Sequence, residues 1–238
     1  QVLTFEISDN SIPGLFALAP SVDAEGNLTF RAVDNAHGSA VIKLQLHDDG
    51  GTANGGQDTS GEQTFQITVT TVNDPPTFNV AGVNPAVNED AGPQTINGWV
   101  NNLSAGPADE SGQTLSFEIT SNSNPNLFSA GPTISAATGN LQFTPAADAN
   151  GLATIKFVLH DNGGTGNGGS NTSVEKTFEI TVNAQNDAPV LENPIADVVV
   201  DENDPPKTIS LTKVFTDVDI QTNSDSLEIT VDSNDNPA

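Results

Sequence analysis

Apolar residues alternate with polar ones in short runs: Leu3-Thr4-Phe5-Glu6-Ile7, Ile42-Lys43-Leu44-Gln45-Leu46 and Phe65-Gln66-Ile67-Thr68-Val69. The same pattern returns at Leu115–Ile119, Ile155–Leu159 and Phe178–Val182. A period of two sends successive side chains to opposite faces, so each run predicts a strand with one buried face. Clusters of Gly, Asn, Asp and Pro separate the runs, as in Asp48–Gly56 and Asp161–Gly169, where glycine supplies positive φ and Asn or Asp tolerates it. No stretch carries a convincing helical period. The pattern predicts an all-β chain.

The runs belong to a larger repeat. EGNLTF, LQLHDDGGTANGG and QTFQITVTTVNDPP within residues 25–76 reappear in order as TGNLQF, FVLHDNGGTGNGG and KTFEITVNAQNDAP within 138–189, with His47 mapping to His160. Leu3, Phe5 and Ile7 recur as Leu115, Phe117 and Ile119, and again as Leu227, Ile229 and Val231. The opening of the unit, AVNEDAGPQTI at 86–96, returns as VVDENDPPKTI at 199–209. The expected division is therefore 1–76 as the C-terminal part of a first repeat, 77–189 as a complete repeat and 190–238 as the N-terminal part of a third. A unit of this length with about seven short strands suits a two-sheet antiparallel sandwich.

Composition narrows the functional classes. The 238 residues carry 31 Asp+Glu against 6 Lys+Arg, a formal net charge of −25, with no Cys and one Trp. Such a charge repels nucleic-acid phosphates and anionic membranes, so neither partner is expected. The lack of cysteine removes disulfides, thiolate metal sites and thiol nucleophiles. No apolar run approaches the length of a membrane span and no leader sequence is present, so membrane insertion is not expected and the chain reads as an excised piece of a longer protein.

Acidic residues recur where strands should end: Asp34, Asp48 and Asp74; then Glu89, Asp109, Glu110, Asp148, Asp161 and Asp187; then Glu202, Asp217 and Asp219. Carboxylates gathered without a counter-charge repel, and a hard cation such as Ca²⁺, which takes six to eight oxygen ligands, relieves that repulsion. With its Asn-Asp-x-Pro junctions at 73–76 and 186–189 and these acidic positions, the sequence resembles the cadherin superfamily, specifically the tandem cadherin-like repeats of large bacterial surface proteins. The resemblance implies tandem Greek-key, Ig-like or cadherin-like β-sandwiches with Ca²⁺ at the junctions. Its calcium ligands lie on an early glutamate, a mid-repeat acidic residue, an Asp-x-Asp pair, a late aspartate and the Asn-Asp linker. Carried over by position, the second junction uses Glu89, Asp148, Asn186 and Asp187 with Asp217 and Asp219. The first uses Asp34, Asn73, Asp74 and Asp161, with Asp109 or Glu110 in place of the pair. Here Ala108-Asp109-Glu110-Ser111 departs from Asp-x-Asp, and the repeat shift sets Asn35 rather than Asp34 opposite Asp148.

Other constellations point to structure rather than chemistry. His47-Asp48 and His160-Asp161 read as strand ends rather than an acid–base pair. The Gly-rich stretches at 50–56 and 163–169 lack the Lys and helix of a phosphate cradle and read as long hairpin loops. A single Trp99 and the absence of Tyr argue against a sugar cleft. The expectation is a non-catalytic, calcium-rigidified segment of a secreted or cell-surface adhesin, a spacer or stalk meeting a surface protein or polysaccharide. The alternative is a polysaccharide-binding accessory module of a secreted hydrolase. Residues 1–76 lack the opening strands that 190–238 supply, so head-to-tail self-association between copies is expected.

Overall fold

The alternating runs form strands, and the Gly/Asn/Asp clusters form the turns between them. The computed structural model describes residues 1–222 and 225–230. In chain order the strands are β1 (Leu3–Asn10), β2 (Phe16–Val22), β3 (Leu28–Ala32), β4 (Gly38–Asp48), β5 (Gln63–Val69), β6 (Thr77–Val80), β7 (Ala86–Asn88), β8 (Gln94–Ile96), β9 (Val100–Ser104), β10 (Ser116–Asn122), β11 (Phe128–Ile134), β12 (Leu141–Pro145), β13 (Gly151–His160), β14 (Lys176–Asn183), β15 (Val190–Leu191) and β16 (Phe215–Thr216). The architecture is all-β, as the periodicity predicts. One α-helical turn, Asp219–Thr222, departs from that expectation. At four residues it is too short to leave a period in the sequence.

The described residues form two compact bodies. One holds residues 1–75, 104–114 and 161–171; the other holds 76–103, 115–160 and 172 onward. In the first body β1, β4 and β5 form an antiparallel sheet and β2 pairs with β3. Their inner faces bury Leu15, Phe16, Ala40, Ile42 and Ile67.

In the second body the order β10-β13-β14-β7 makes one sheet, while β11-β12-β8 and β6-β9 make the other side. Strand β7 runs parallel to β14, while β10 with β13, β13 with β14, β11 with β12 and β12 with β8 pair antiparallel. The nine segments are seven strands of which the first two are each broken, β6 from β7 at 81–85 and β8 from β9 at 97–99. At the second break Trp99 turns inward to 1% exposure, with its ring 4.5 Å from Phe178 and its Nε1 donating to Val83 O at 3.2 Å. The indole lies so close over Gly82 that a Cβ there would sit 2.0 Å from Trp99 Cδ1, which reserves that position for glycine. Around Trp99 the core joins Phe157, Ile155, Leu159, Leu141 and Ile180, all fully buried.

The five strands of the first body match β10–β14, including the shared register slip at Ile7/Asp9 and Ile119/Ser121. The expected third copy of the leading strand is absent at Leu227 and Ile229, which take no strand conformation; Val231 lies outside the described residues. In the other two copies this strand pairs with β4 or β13, and no equivalent partner exists among the described residues after 190.

Two candidate cation sites

The site in the second body is assembled by the parallel pairing of β7 on β14. That pairing sets Glu89, the residue after β7, beside the chain leaving β14, with Glu89 N–H donating to Asn183 O at 2.9 Å. Glu89 is 2% exposed; its Oε1 accepts the Gln185 N–H at 2.6 Å and its Oε2 accepts Asn150 Nδ2 at 3.2 Å. Asp90 and Asp148 both sit in the left-handed region, φ 59° and 54°, which turns the chain sharply at each and sets the Asp148 N–H 3.4 Å from Asp90 Oδ1. One carboxylate oxygen from each of Asp90, Asp148 and Asp187 lies within 4.8 Å of the others.

The downstream residues close this arrangement. The Asp187 N–H donates to Asp219 Oδ2 at 2.5 Å, and the Asp219 N–H to Asp217 Oδ1 at 2.9 Å. Asp217 and Asp219 are 5% and 2% exposed. Asp217 Oδ2 and Asp187 Oδ2 are buried without a hydrogen-bond partner among the described residues, and Asp148, Asp187 and Asp217 line one open cavity. Asn186 donates its Nδ2 to Asp187 O at 2.8 Å, a bond that does not involve its Oδ1. Loss of hydration raises the Asp187 carboxyl above the usual Asp range, and the negative charges of Asp90, Asp219, Asp148 and Glu89 raise it further.

The site in the first body is built around an amide. Asn73 Nδ2 reaches Asp161 Oδ1 at 3.0 Å and Ser170 O at 2.6 Å, and its Oδ1 accepts Gln113 Nε2 at 2.7 Å. Glu110 Oε1 accepts the Asp74 N–H at 2.9 Å, and Asp161 Oδ1 accepts the Gly163 N–H at 2.9 Å. Glu110 and Asp161 are 6% and 7% exposed, and their second oxygens, with Gln113 Oε1, are buried without a hydrogen-bond partner among the described residues.

The other two residues named for the first junction face elsewhere. Asp109 pairs with His37 at 3.5 Å, and Asp34 is exposed and pairs with Arg31 at 3.2 Å. Asn35 has φ 62°, matching the left-handed Asp148, so a neutral amide stands where the second body has a carboxylate.

Sequence reading passed over Asp90, Gln113 and Asn150. Asp90 adjoins Glu89 and repeats as Asn203, also left-handed at φ 70°, which is a signal of a turn rather than of a ligand. Gln113 and Asn150 are neutral and escape a search for acids. The histidines hold structure: His160 Nδ1 meets Thr172 Oγ1 at 3.0 Å and Nε2 meets Glu118 at 2.8 Å, and His47 repeats this with Thr59 and Glu6. Lys43 and Lys156 pair with Glu62 and Glu175 at the surface. No helix among the described residues is long and apolar enough to cross a membrane.

Residues 73–183, just under half of the chain, match the family model described as a bacterial Ig domain. None of the curated proteins matches the sequence. Among solved structures, Drosophila N-cadherin EC1-4 is 19% identical with a TM-score of 0.46 and covers 79% of this chain; mouse protocadherin-24 EC1-3 is 16% identical with a TM-score of 0.41 and covers 76%. The chain spans 43% and 59% of those two structures. The family match covers the second sandwich, and the five strands of the first body repeat β10–β14 of it, so the fold is all-β, of tandem Ig-like sandwich units.

Proposed function

We propose that the chain is a non-catalytic, calcium-binding repeat segment of an extracellular adhesin or stalk, in which bound ions stiffen the links between successive sandwiches. The observation that carries this reading is the second site. Asp90, Asp148 and Asp187 converge there within 4.8 Å, and Asp217, nine-tenths buried, holds an oxygen without a partner beside the same cavity. An oxygen-only donor set of this charge suits a hard cation of flexible geometry rather than a thiolate- or imidazole-seeking metal. Ligands would be Asp90, Asp148, Asp187 and Asp217, with Glu89 and Asp219 anchoring the backbone around them. The first site would offer Glu110 and Asp161.

The mechanism is linkage. An ion held by the ordered site and poorly by the disordered one stabilises the ordered form by RT ln(1 + [L]/Kd). The polysaccharide-binding alternative needs an exposed aromatic platform; Trp99 is inside the core at 1% exposure, and the exposed aromatics are the separate Phe30 and Phe215, at 42% and 40%. Calorimetric titration of chelator-stripped protein with Ca²⁺ tests the proposal. Binding with Kd near 10⁻⁴–10⁻³ M, the order typical of extracellular modules, accompanied by a rise in Tm is expected. Absence of heat and an unchanged Tm at about ten times that concentration would exclude it.

A further inference from the structure

The chain enters the second sandwich by β6 and β7 and leaves it by β14. Strands β7 and β14 lie side by side and parallel, with Ala86 beside Thr181, Val87 beside Val182 and Asn88 beside Asn183. Direction decides how such a pair meets tension. A pull along the chain draws β7 backward from its N-terminal end and β14 forward from its C-terminal end. Parallel strands loaded in this way slide past each other, so the evenly spaced bonds between them share the load. An antiparallel pair joined to the same two ends would open from one end, a bond at a time.

The seam extends beyond its paired residues. In order along it, the Glu179 N–H donates to Asn84 Oδ1 at 3.2 Å, Thr181 N–H to Pro85 O at 2.9 Å, Glu89 N–H to Asn183 O at 2.9 Å and Gln185 N–H to Glu89 Oε1 at 2.6 Å. The side chains of Asn84 and Glu89 thus lengthen the ladder past both ends of β7. Pro85 suits an edge position because it has no N–H to leave unpaired. Beneath the ladder Val182 is buried and Val87 packs against the same core, so sliding must also drag both side chains through close-packed neighbours.

We infer that the β7–β14 seam is a load-bearing clamp, which gives this repeat the further function of holding tension along the chain. Its bonds are lost together, so its lifetime under load is set by the unfolding rate of the whole seam rather than by its weakest member. None of these bonds runs through a cation, so the clamp is independent of the calcium reading.

Constant-force tweezers on the 238-residue chain test this in EDTA, the cysteine-free background letting DNA handles be attached at chosen thiols. Val83→Cys with Ala184→Cys pulls the two strands along their length; Val83→Cys with Thr177→Cys pulls them apart from one end. All three side chains are exposed, so both variants fold, and a handle at residue 83 leaves β6 outside the loaded path. At equal force the lengthwise pull is withstood about tenfold longer or more, the difference between losing several hydrogen bonds together and one at a time. Rupture adds up to about 3.3–3.6 Å for each residue freed between the handles, which assigns the step to this sandwich. Asn84→Ala deletes one acceptor of the ladder and shortens the lengthwise lifetime about twofold or more. Equal lifetimes in the two directions, a longer one under the end-on pull, or a lengthwise lifetime unmoved by Asn84→Ala each overturns the inference. Calcium binding, measured separately by calorimetry, decides none of these outcomes.

Discussion

Replacing Gly163 with alanine tests how the first site is held together. A Cβ at this position would lie 1.6 Å from Asn73 Oδ1 and 2.5 Å from Gln113 Nε2, distances that require the Asn73 amide to leave its cradle. Asn73 cannot shift slightly, because its Nδ2 is fixed by Asp161 Oδ1 and Ser170 O on one side and its Oδ1 by Gln113 on the other. Overpacking of this kind costs about 1–3 kcal/mol, a substantial part of the roughly 5–15 kcal/mol that keeps a domain folded.

Asn73→Ala deletes the same cradle from the other partner. It forfeits about 0.5–1.5 kcal/mol for each neutral hydrogen bond and about 1.5–3 for the bond to the Asp161 carboxylate. Once Asn73 is alanine, the methyl group of Gly163→Ala meets no Oδ1, so the double variant is no less stable than Asn73→Ala alone. The double-mutant cycle therefore gives a coupling of about 1–3 kcal/mol, where independent sites give about zero. The Ser170 N–H donates to Asn73 O at 2.9 Å, and its hydrogen exchange reports the cradle locally. Protection falls about five- to 150-fold in Gly163→Ala, the range matching the same 1–3 kcal/mol. Wild-type protection at Ser170, or singles whose costs simply add, would show that Asn73 is not held as described.

The second site supplies two predictions and the core a third. The raised Asp187 carboxyl is easier to protonate in the folded chain, so its contribution to metal-free stability is greatest in acid and is lost as pH rises through its elevated value. Calcium requires the ionised form; affinity therefore falls and proton release grows as pH drops toward the carboxylate range, as calorimetry in buffers of different ionisation enthalpy will show. Asp217→Asn removes a charge from a nine-tenths buried ligand and weakens calcium binding by about tenfold or more, whereas Asp34→Asn, at an exposed residue paired with Arg31, leaves the isotherm unchanged. Phe143→Ala creates a cavity costing about 3–5 kcal/mol, while Phe30→Ala at the equivalent exposed position costs less than half of that by thermal unfolding.

The strands were legible because period-two alternation is a direct record of which face is buried, and the duplication supplied each reading twice. The breaks were not. Trp99 lies outside the alternating runs, after Asn97-Gly98, and nothing in their period shows that its indole enters the core past Gly82 as the chain turns at Gly98, φ 60°. The acidic positions were visible as types but not as contacts. Asp109 and Glu110 are equivalent to a reader looking for an Asp-x-Asp pair; in the structure Glu110 receives the Asp74 N–H just as Asp219 receives that of Asp187, and Asp109 turns to His37. Gln113 was hidden because its part is to fix another amide rather than to carry charge.

The same repeat thus produces two sites of opposite electrostatic design. At the second, Glu89, Asp90, Asp148, Asp187, Asp217 and Asp219 crowd together. At the first, amides replace carboxylates: Asn35 stands in the position of Asp148, and Asn73 and Gln113 complete a network in which only Asp74, Glu110 and Asp161 are acidic. Like charges held within about 5 Å repel strongly unless a cation lies between them, whereas amide hydrogen bonds need none. On the proposed calcium reading, the amide-braced first site depends less on a bound ion than the second does. Removing calcium should expose the amides of Asp187 and Asp219 to exchange while Ser170 stays protected. Equal loss at both sites would mean that Asn73 and Gln113 do not substitute for the metal.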